Sequence, residues 1–346
     1  MAYRINNAEI DQQIDRLVAG VVATADGYVD DTDLVREIIV TALKLIKDKT
    51  TRADVKMMNT ALKELRYSSL VVSPFQDSSR VAVYGSARTD PKDPNYTMAE
   101  LFSRRMALDH GWMVITGAGP GIMEAANKGA GADASFGFNI RLPFENGANE
   151  YLSPGKVINF KYFFTRKVQF VKESSAFALF PGGFGTLDEA FELLTLIQTG
   201  KSDLHPIVMI ENEGTGYWGA WEALCDALVT QGMISASDRN LYMVTTDLDE
   251  AIEEIMHFYR VYHSQRFVDG ILILRLHREV SEQLLADLST EFSDIIRTGS
   301  IDKIPATQDE VDTDDYVDLP RISFDFDLRS YGRLRVLINR LNDSAK

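Results

Sequence analysis

Between Arg80 and Tyr259 short apolar runs alternate with segments of helical periodicity, and this alternation restricts the chain to few architectures. The apolar runs are Val81 to Tyr84, Trp112 to Thr116, "SFGFNIRL", "AFALF" at Ala176 to Phe180, "HPIVMI" and "LYMVTT". Helical spacing fills the gaps: about Tyr96 to His110, the stretch after "GAGPG", "NFKYFFTRKVQFVKES", a segment to about Thr199, "YWGAWEALCDALV" and "DLDEAIEEIMHFY". Buried strands joined by helices form a parallel sheet covered on both faces, with ligands at the carboxyl ends of the strands. The expected fold class is therefore α/β, a Rossmann-like doubly wound sheet.

The flanks differ from this core. Residues 5 to 70 carry three helical blocks, with "DDTDL" at Asp30 to Leu34 and "TTRAD" at Thr50 to Asp54 as helix starts. From about Val261, "RFVDGILILRLH" reads as a strand and "SEQLLADLSTEFSDII" as a helix. "ATQDEVDTDDYVD" then reads as a solvated acidic connection, followed by the strand "RISFDFDL" and the helix "YGRLRVLINRLN". The expected organisation is a helical extension over 1–75, a Rossmann-like α/β domain over 76–260 and a small α+β appendage over 261–346.

The 36 basic and 51 acidic residues give a net charge of −15, which disfavours general attraction to nucleic acid or anionic membrane. One cysteine, Cys225, excludes an intrachain disulfide and a cysteine-based zinc cluster. No apolar run reaches the roughly 20 residues of a membrane helix, and the N-terminus lacks a basic start followed by an apolar core, so a reducing, cytoplasmic setting is expected. The five histidines have no metal-ligand spacing, and no G-x-S-x-G elbow occurs.

Against that acidity, "FPGGFGTLDEAFELL" joins a strand to a helix through Gly182, Gly183 and Gly185. Glycines there let backbone approach a ligand, and the first helix amides are unpaired donors. Together these form an anion site that needs no net positive charge, with Thr186 adding a hydroxyl. Thr186 and Glu189 also fit a capping box, although three glycines in four residues cost more backbone entropy than a simple cap requires. Glu189, Glu192 and Thr195 recur at i, i+3 and i+6, so two carboxylates could serve a hydrolytic site or merely form a solvated face.

A second turn, "TGAGPGIMEA", places Gly117, Gly119 and Gly121 after a strand. Its third glycine comes one residue early for a dinucleotide fingerprint, so a nicotinamide cofactor is not expected; a nucleotide-pocket lining and tight strand-to-helix packing both remain open. "FFTRKV" sets Arg166 and Lys167 on an apolar, aromatic helix, where they could bind phosphate or simply snorkel. Cys225 fits a buried thiol in an apolar helix.

"YFFTRK" followed by "FPGGFGTLDE" resembles the Lonely Guy family, the cytokinin riboside 5′-monophosphate phosphoribohydrolases, whose members are often mislabelled lysine decarboxylases. The signature is an Arg-Lys pair and then P-G-G-x-G-T-x-x-E, matched by Arg166, Lys167 and Pro181 through Glu189. "YGSAR", with Gly85 and Ser86, and "GAGPGIMEAANKGA", with Gly117 and Gly119, look like that family's first two nucleotide-facing turns. The resemblance covers about Arg80 to Tyr259. It implies hydrolysis of the N-glycosidic bond of a nucleoside 5′-monophosphate, AMP or a cytokinin riboside monophosphate, to free base and ribose 5-phosphate. It further implies Arg166 and Glu189 as the catalytic pair and 76–260 as the nucleotide-binding catalytic domain, with substrate contacts from Arg166, Lys167, the Gly183 to Glu189 segment and Thr195; the residues themselves add Gly182 of the turn and Glu192 of the helix face as candidate contacts. No metal or organic cofactor is needed for this chemistry, and a homodimer or higher homo-oligomer is expected. The alternatives are a non-catalytic nucleotide-binding regulator of the same fold, a pyridoxal phosphate decarboxylase and a single-stranded DNA handler, the last disfavoured by the charge.

Overall fold

The computed structural model describes residues 3–24, 31–141 and 147–345, so Asp30 of the expected helix start and Leu142 of the expected third strand lie outside the described residues. Two compact units emerge, Met1–Arg66 and Tyr67–Lys346. The first holds α1 (Ala8–Val22), α2 (Thr32–Lys47) and most of α3 (Arg52–Val72). Asn7 caps α1 by accepting from the amides of Glu9 and Ile10, and Arg36 reaches Asp15 at 2.6 Å and Asp11 at 3.2 Å to tie α2 to α1. Thr51 begins α3 by accepting from the Asp54 amide.

The second unit is built on a parallel seven-stranded sheet: β1 (Arg80–Tyr84), β2 (Met113–Thr116), β3 (Ser135–Ile140), β4 (Val157–Phe160), β5 (Ala176–Leu179), β6 (Ile207–Ile210) and β7 (Met243–Thr245). The strand order is β4-β3-β2-β1-β5-β6-β7. Side chains alternate along each strand, so Val81 and Val83 enter one core while Ala82 and Tyr84 enter the other. The first core packs under α4 (Pro94–Leu108), α5 (Ile122–Ala130) and α9 (Leu248–Phe258); the second packs under α6 (Phe163–Glu173), α7 (Phe184–Gln198) and α8 (Tyr217–Thr230). Helices on both faces confirm the doubly wound α/β class.

One strand departs from the sequence reading. Residues Val157–Phe160 form edge strand β4, and α6 begins only at Phe163. The helical spacing of "NFKYFF" hid a four-residue strand whose exposure alternates with period two, as an edge strand's does.

The C-terminal segment also departs, with a hairpin where one strand was expected. β8 (Tyr262–Val268) and β9 (Ile271–Leu276) pair antiparallel across Asp269 and Gly270, whose φ values of +49° and +83° suit a primed two-residue turn. With β10 (Asp302–Ile304) and β11 (Arg321–Phe324) they make a sheet of order β10-β11-β9-β8, flanked by α10 (Glu282–Glu291) and α12 (Tyr331–Asp343). Asn342 locks this sheet to α9, accepting from the amides of Val261 and Tyr262 and donating to the Phe258 carbonyl.

The acidic connection is not a plain solvated loop. It contains α11 (Gln308–Asp312), started by a Thr307/Glu310 capping box, and Glu310 is fully buried against Arg275 and Arg321. Burial would raise the Glu310 pKa, but the Thr307 amide and the two guanidinium groups hold it down at about 2. No helix among the described residues is long and apolar enough to cross a membrane.

Candidate active site

The crossover after β1 runs to the α4 face of the sheet, whereas β5 leads into α7 on the opposite face. The strand order therefore reverses between β1 and β5, and the carboxyl ends of those strands open a crevice. A cleft of about 1050 Å³ lies there. Of the residues singled out in the sequence, Gly85, Ser86, Gly117, Gly119, Arg166, Gly182, Gly183, Gly185, Thr186 and Glu189 line it, whereas Lys167, Glu192 and Thr195 do not.

Three turns are stitched together beneath the cleft. The Ser86 amide donates to the Pro181 carbonyl at 3.0 Å, and the Ile122 amide donates to the Ser86 carbonyl at 3.1 Å. Tyr217, at the start of α8, donates its hydroxyl to the Gly182 carbonyl at 2.6 Å. Gly121 has φ +67°, and a Cβ there would lie 2.3 Å from the Ser86 carbonyl oxygen. The two readings of the second turn therefore divide between residues: Gly121 serves packing, while Gly117 and Gly119 face the cleft.

The capping box expected as one reading of Thr186 and Glu189 is not formed. Gly183 is the N-cap of α7, so Thr186 already occupies the third helical position and Glu189 lies in the second turn. Gly183 caps with no side chain, its carbonyl accepts from the Leu187 amide at 3.2 Å, and the amides of Phe184, Gly185 and Thr186 have no partner inside the helix. Positions 183 and 185 are open, with nothing within 4 Å of where a Cβ would stand. The positive end of the helix dipole thus faces the cleft with bare amides.

Beside this turn sit two charged side chains. Arg166 lies 5.4 Å from the Phe170 ring and 5.9 Å from the Phe163 ring, and its Nη2 rests against Gly117, where a Cβ would approach to 2.9 Å. Glu189 is 7% exposed. Burial raises its pKa to about 7 although Lys167 and Arg166 pull it down. A carboxyl group that titrates near neutrality can exchange protons with a substrate or water at working pH.

Lys167 leaves the cleft for the seam between α6 and α7, where its Nζ lies 2.8 Å from Asp188, 3.1 Å from Glu192 and 3.8 Å from Glu189. Thr195 is exposed, and six residues along the helix carry it about 9 Å from Glu189. The sequence reading missed Tyr84, Asp93, Asn95, Met123, Phe163 and Tyr217, all of which line the cleft. Tyr84 and Phe163 carried a signal in their position beside the recognised motifs; Tyr217 is brought in from another helix by the fold alone.

Residues 121–255 match the family model described as possible lysine decarboxylase. Over 90 residues the chain is 32% identical to cytokinin riboside 5′-monophosphate phosphoribohydrolase LOG1 of Arabidopsis thaliana, which covers 26% of this chain and 41% of that protein. The chain resembles the Lonely Guy family. To LOG5 of the same plant it is 25% identical over 194 residues, 55% of this chain and 78% of the relative. The first of these Lonely Guy relatives are matched over less than half of their own length. Among solved structures, the molybdenum cofactor carrier protein of Chlamydomonas reinhardtii is 21% identical over 52% of this chain and 96% of its own, with a TM-score of 0.38. Of the Lonely Guy signature, Arg166 and Pro181 to Glu189 border the cleft and Lys167 does not.

Proposed function

We propose that this chain hydrolyses the N-glycosidic bond of a nucleoside 5′-monophosphate, AMP or a cytokinin riboside monophosphate, releasing the base and ribose 5-phosphate. The observation that carries the reading is a buried carboxyl group, Glu189, one turn along a helix whose bare first amides open on the same cleft. A phosphate docked on the amides of Phe184 to Thr186 anchors the substrate, and its binding energy holds the ribose against Glu189. As the C1′–N bond breaks, its electron pair leaves with the base and positive charge grows on the sugar. The Glu189 carboxylate stabilises that charge and accepts the proton of the water that adds to C1′. Arg166 neutralises charge on the substrate or assists the departing base. Decarboxylation through a pyridoxal Schiff base fits less well, since no lysine lines the cleft among the described residues. The catalytic domain is 76–260, and exposed Phe164, Val168 and Phe191 on α6 and α7 offer an apolar surface for the expected homodimer.

The test is to incubate the protein with purine and pyrimidine monophosphates and assay ribose 5-phosphate. Release is expected from at least one, and Glu189→Gln should cut it by about 10²- to 10⁴-fold while nucleotide binding persists. Binding without release from any monophosphate would leave the regulatory reading. Undiminished turnover in the glutamine variant would remove Glu189 from the chemistry.

A further inference from the structure

Consecutive residues on a helix point about 100° apart, and Arg166 and Lys167 leave α6 in different directions, only the first of them lining the cleft. Arg166 takes the cleft side, against Gly117. Lys167 takes the other and is 12% exposed, with carboxylates of Asp188, Glu189 and Glu192 all within 4 Å of its ammonium and the Asp188 carbonyl at 3.5 Å. We propose that Lys167 is a positioning residue that holds Glu189 from behind the cleft, with Asp188 and Glu192 competing for the same ammonium, and that it makes no contact with the nucleotide. This rests on Glu189 being the catalytic carboxylate, and it departs from the substrate contact that the family resemblance implies for this lysine.

The physical case is one of charge sharing. Three carboxylates crowd one ammonium, in a seam where burial already penalises ionised Glu189. The charged or titratable groups that act on Glu189 are Arg166 and Lys167 from α6, Asp188 and Glu192 from α7, and Tyr84 from β1. Of these only the two cations favour the carboxylate form, and Arg166 lies on the substrate side. Before substrate arrives both therefore hold Glu189 toward its ionised form, Lys167 more strongly and from behind the cleft, and Glu192 weakens that hold by drawing the ammonium to itself and by like-charge repulsion.

The experiment is a pH–rate profile of ribose 5-phosphate release for Lys167→Met, Lys167→Arg and Glu192→Gln, with stability against pH measured on the same proteins without nucleotide. In Lys167→Met the acidic limb of kcat/KM should move up by about one pH unit or more, while KM at pH 9 changes less than about threefold. Lys167→Arg should restore the wild-type limb, and Glu192→Gln should move it to lower pH. A merely structural lysine would lower activity without displacing the limb. Should Lys167→Met not fold, the opposite displacement in Glu192→Gln carries the test.

A KM more than tenfold higher in Lys167→Met with the limb unmoved would make Lys167 a substrate contact and overturn the assignment. An unmoved limb in Glu192→Gln would overturn it as well. The nucleotide-free profile keeps this separate from the activity itself. Loss of stability between pH 5 and pH 8 should deepen in Lys167→Met and vanish in Glu189→Gln. If those shifts appear although no monophosphate is hydrolysed, the proposed activity fails, and with it the catalytic role of Glu189, while the hold of Lys167 on the Glu189 carboxylate stands.

Discussion

The chain contains two glycine turns of similar spelling, "GAGPG" after β2 and "PGGFG" after β5, and their surroundings are opposite. In the first, a Cβ at Gly117, Gly119 or Gly121 would come within 3 Å of Met123, Arg166 or the Ser86 backbone. In the second, positions 183 and 185 meet nothing within 4 Å, and only Gly182 is crowded, by Thr186. At Gly121 glycine is demanded by backbone already present, and at Gly117 and Gly119 the space is taken by the flexible ends of Met123 and Arg166. At positions 183 and 185 no protein neighbour demands it, so the missing side chains keep amides open to something else. Glycine count alone cannot make this distinction; what a Cβ would touch can.

The largest effect that would break this contrast concerns Gly121→Ala. The backbone there has φ +67° and ψ −128°, a region that side chains avoid, and the new Cβ would press on the Ser86 carbonyl at 2.3 Å. Backbone strain of about 1–3 kcal/mol and overpacking of about 1–3 kcal/mol predict a loss of roughly 2–6 kcal/mol in chemical denaturation. A loss below about 1 kcal/mol would mean the two turns do not differ in kind.

The next effect comes from the helix that the open turn begins. Glu189 has a folded pKa of about 7 against an ordinary 4.5, so between those values the folded state holds a proton that the unfolded chain has lost. Stability from this group is complete below about pH 4.5 and is lost as pH rises through 7. At pH 8 the deficit is roughly 3 kcal/mol, from about 1.4 kcal/mol per pH unit. Glu189→Gln should therefore be more stable than wild type by a few kcal/mol at pH 8, with the gain disappearing toward pH 4.5. Equal stability at both pH values would mean the carboxyl group is not strained by its surroundings. A gain in stability with a loss of turnover is what a functional carboxylate held in an unfavourable place produces.

A smaller effect tests the crowded turn from its cleft side. At Gly117 the atoms in the way are flexible ends, Met123 Sδ and Arg166 Nη2, so Gly117→Ala should cost only about 1 kcal/mol of stability. Relief comes by moving Arg166, and kcat/KM for the monophosphate should fall about tenfold or more. Unchanged kinetics would show that the arginine's resting place does not matter.

How much of this could be read without coordinates depended on how local each feature was. The strand and helix alternation and the ten cleft residues already recognised are encoded in contiguous motifs, and the fold brings their ends together at one switch point. Edge strand β4 was hidden because four residues, Val157 to Phe160, are too few for period two to outweigh the helical spacing that follows. The Asp269-Gly270 hairpin was legible from its dipeptide but read as one strand because apolar residues flank it on both sides. Glu310 looked solvated among acidic neighbours, and only the return of Arg275 and Arg321 from other strands explains its burial. Lys167 stands outside the cleft lining for a geometric reason: adjacency in a motif became separation around a helix.

The smallest effect is also the sharpest test of the open turn. Gly185 is the second residue of α7, with helical neighbours and no atom within 4 Å of a modest side chain. If its role were structural, alanine would be the better residue, since glycine in a helix costs about 0.5–1 kcal/mol relative to alanine. Gly185→Ala should accordingly raise stability by about that amount in denaturation. The added methyl would stand beside the amides of Phe184 and Thr186 that are proposed to take the phosphate, so affinity for AMP should drop several-fold while affinity for adenosine, which lacks the phosphate, should not. Stabilisation together with undiminished AMP binding would mean that the bare amides at this turn hold no phosphate, and the anionic end of the substrate would have to be sought elsewhere in the cleft.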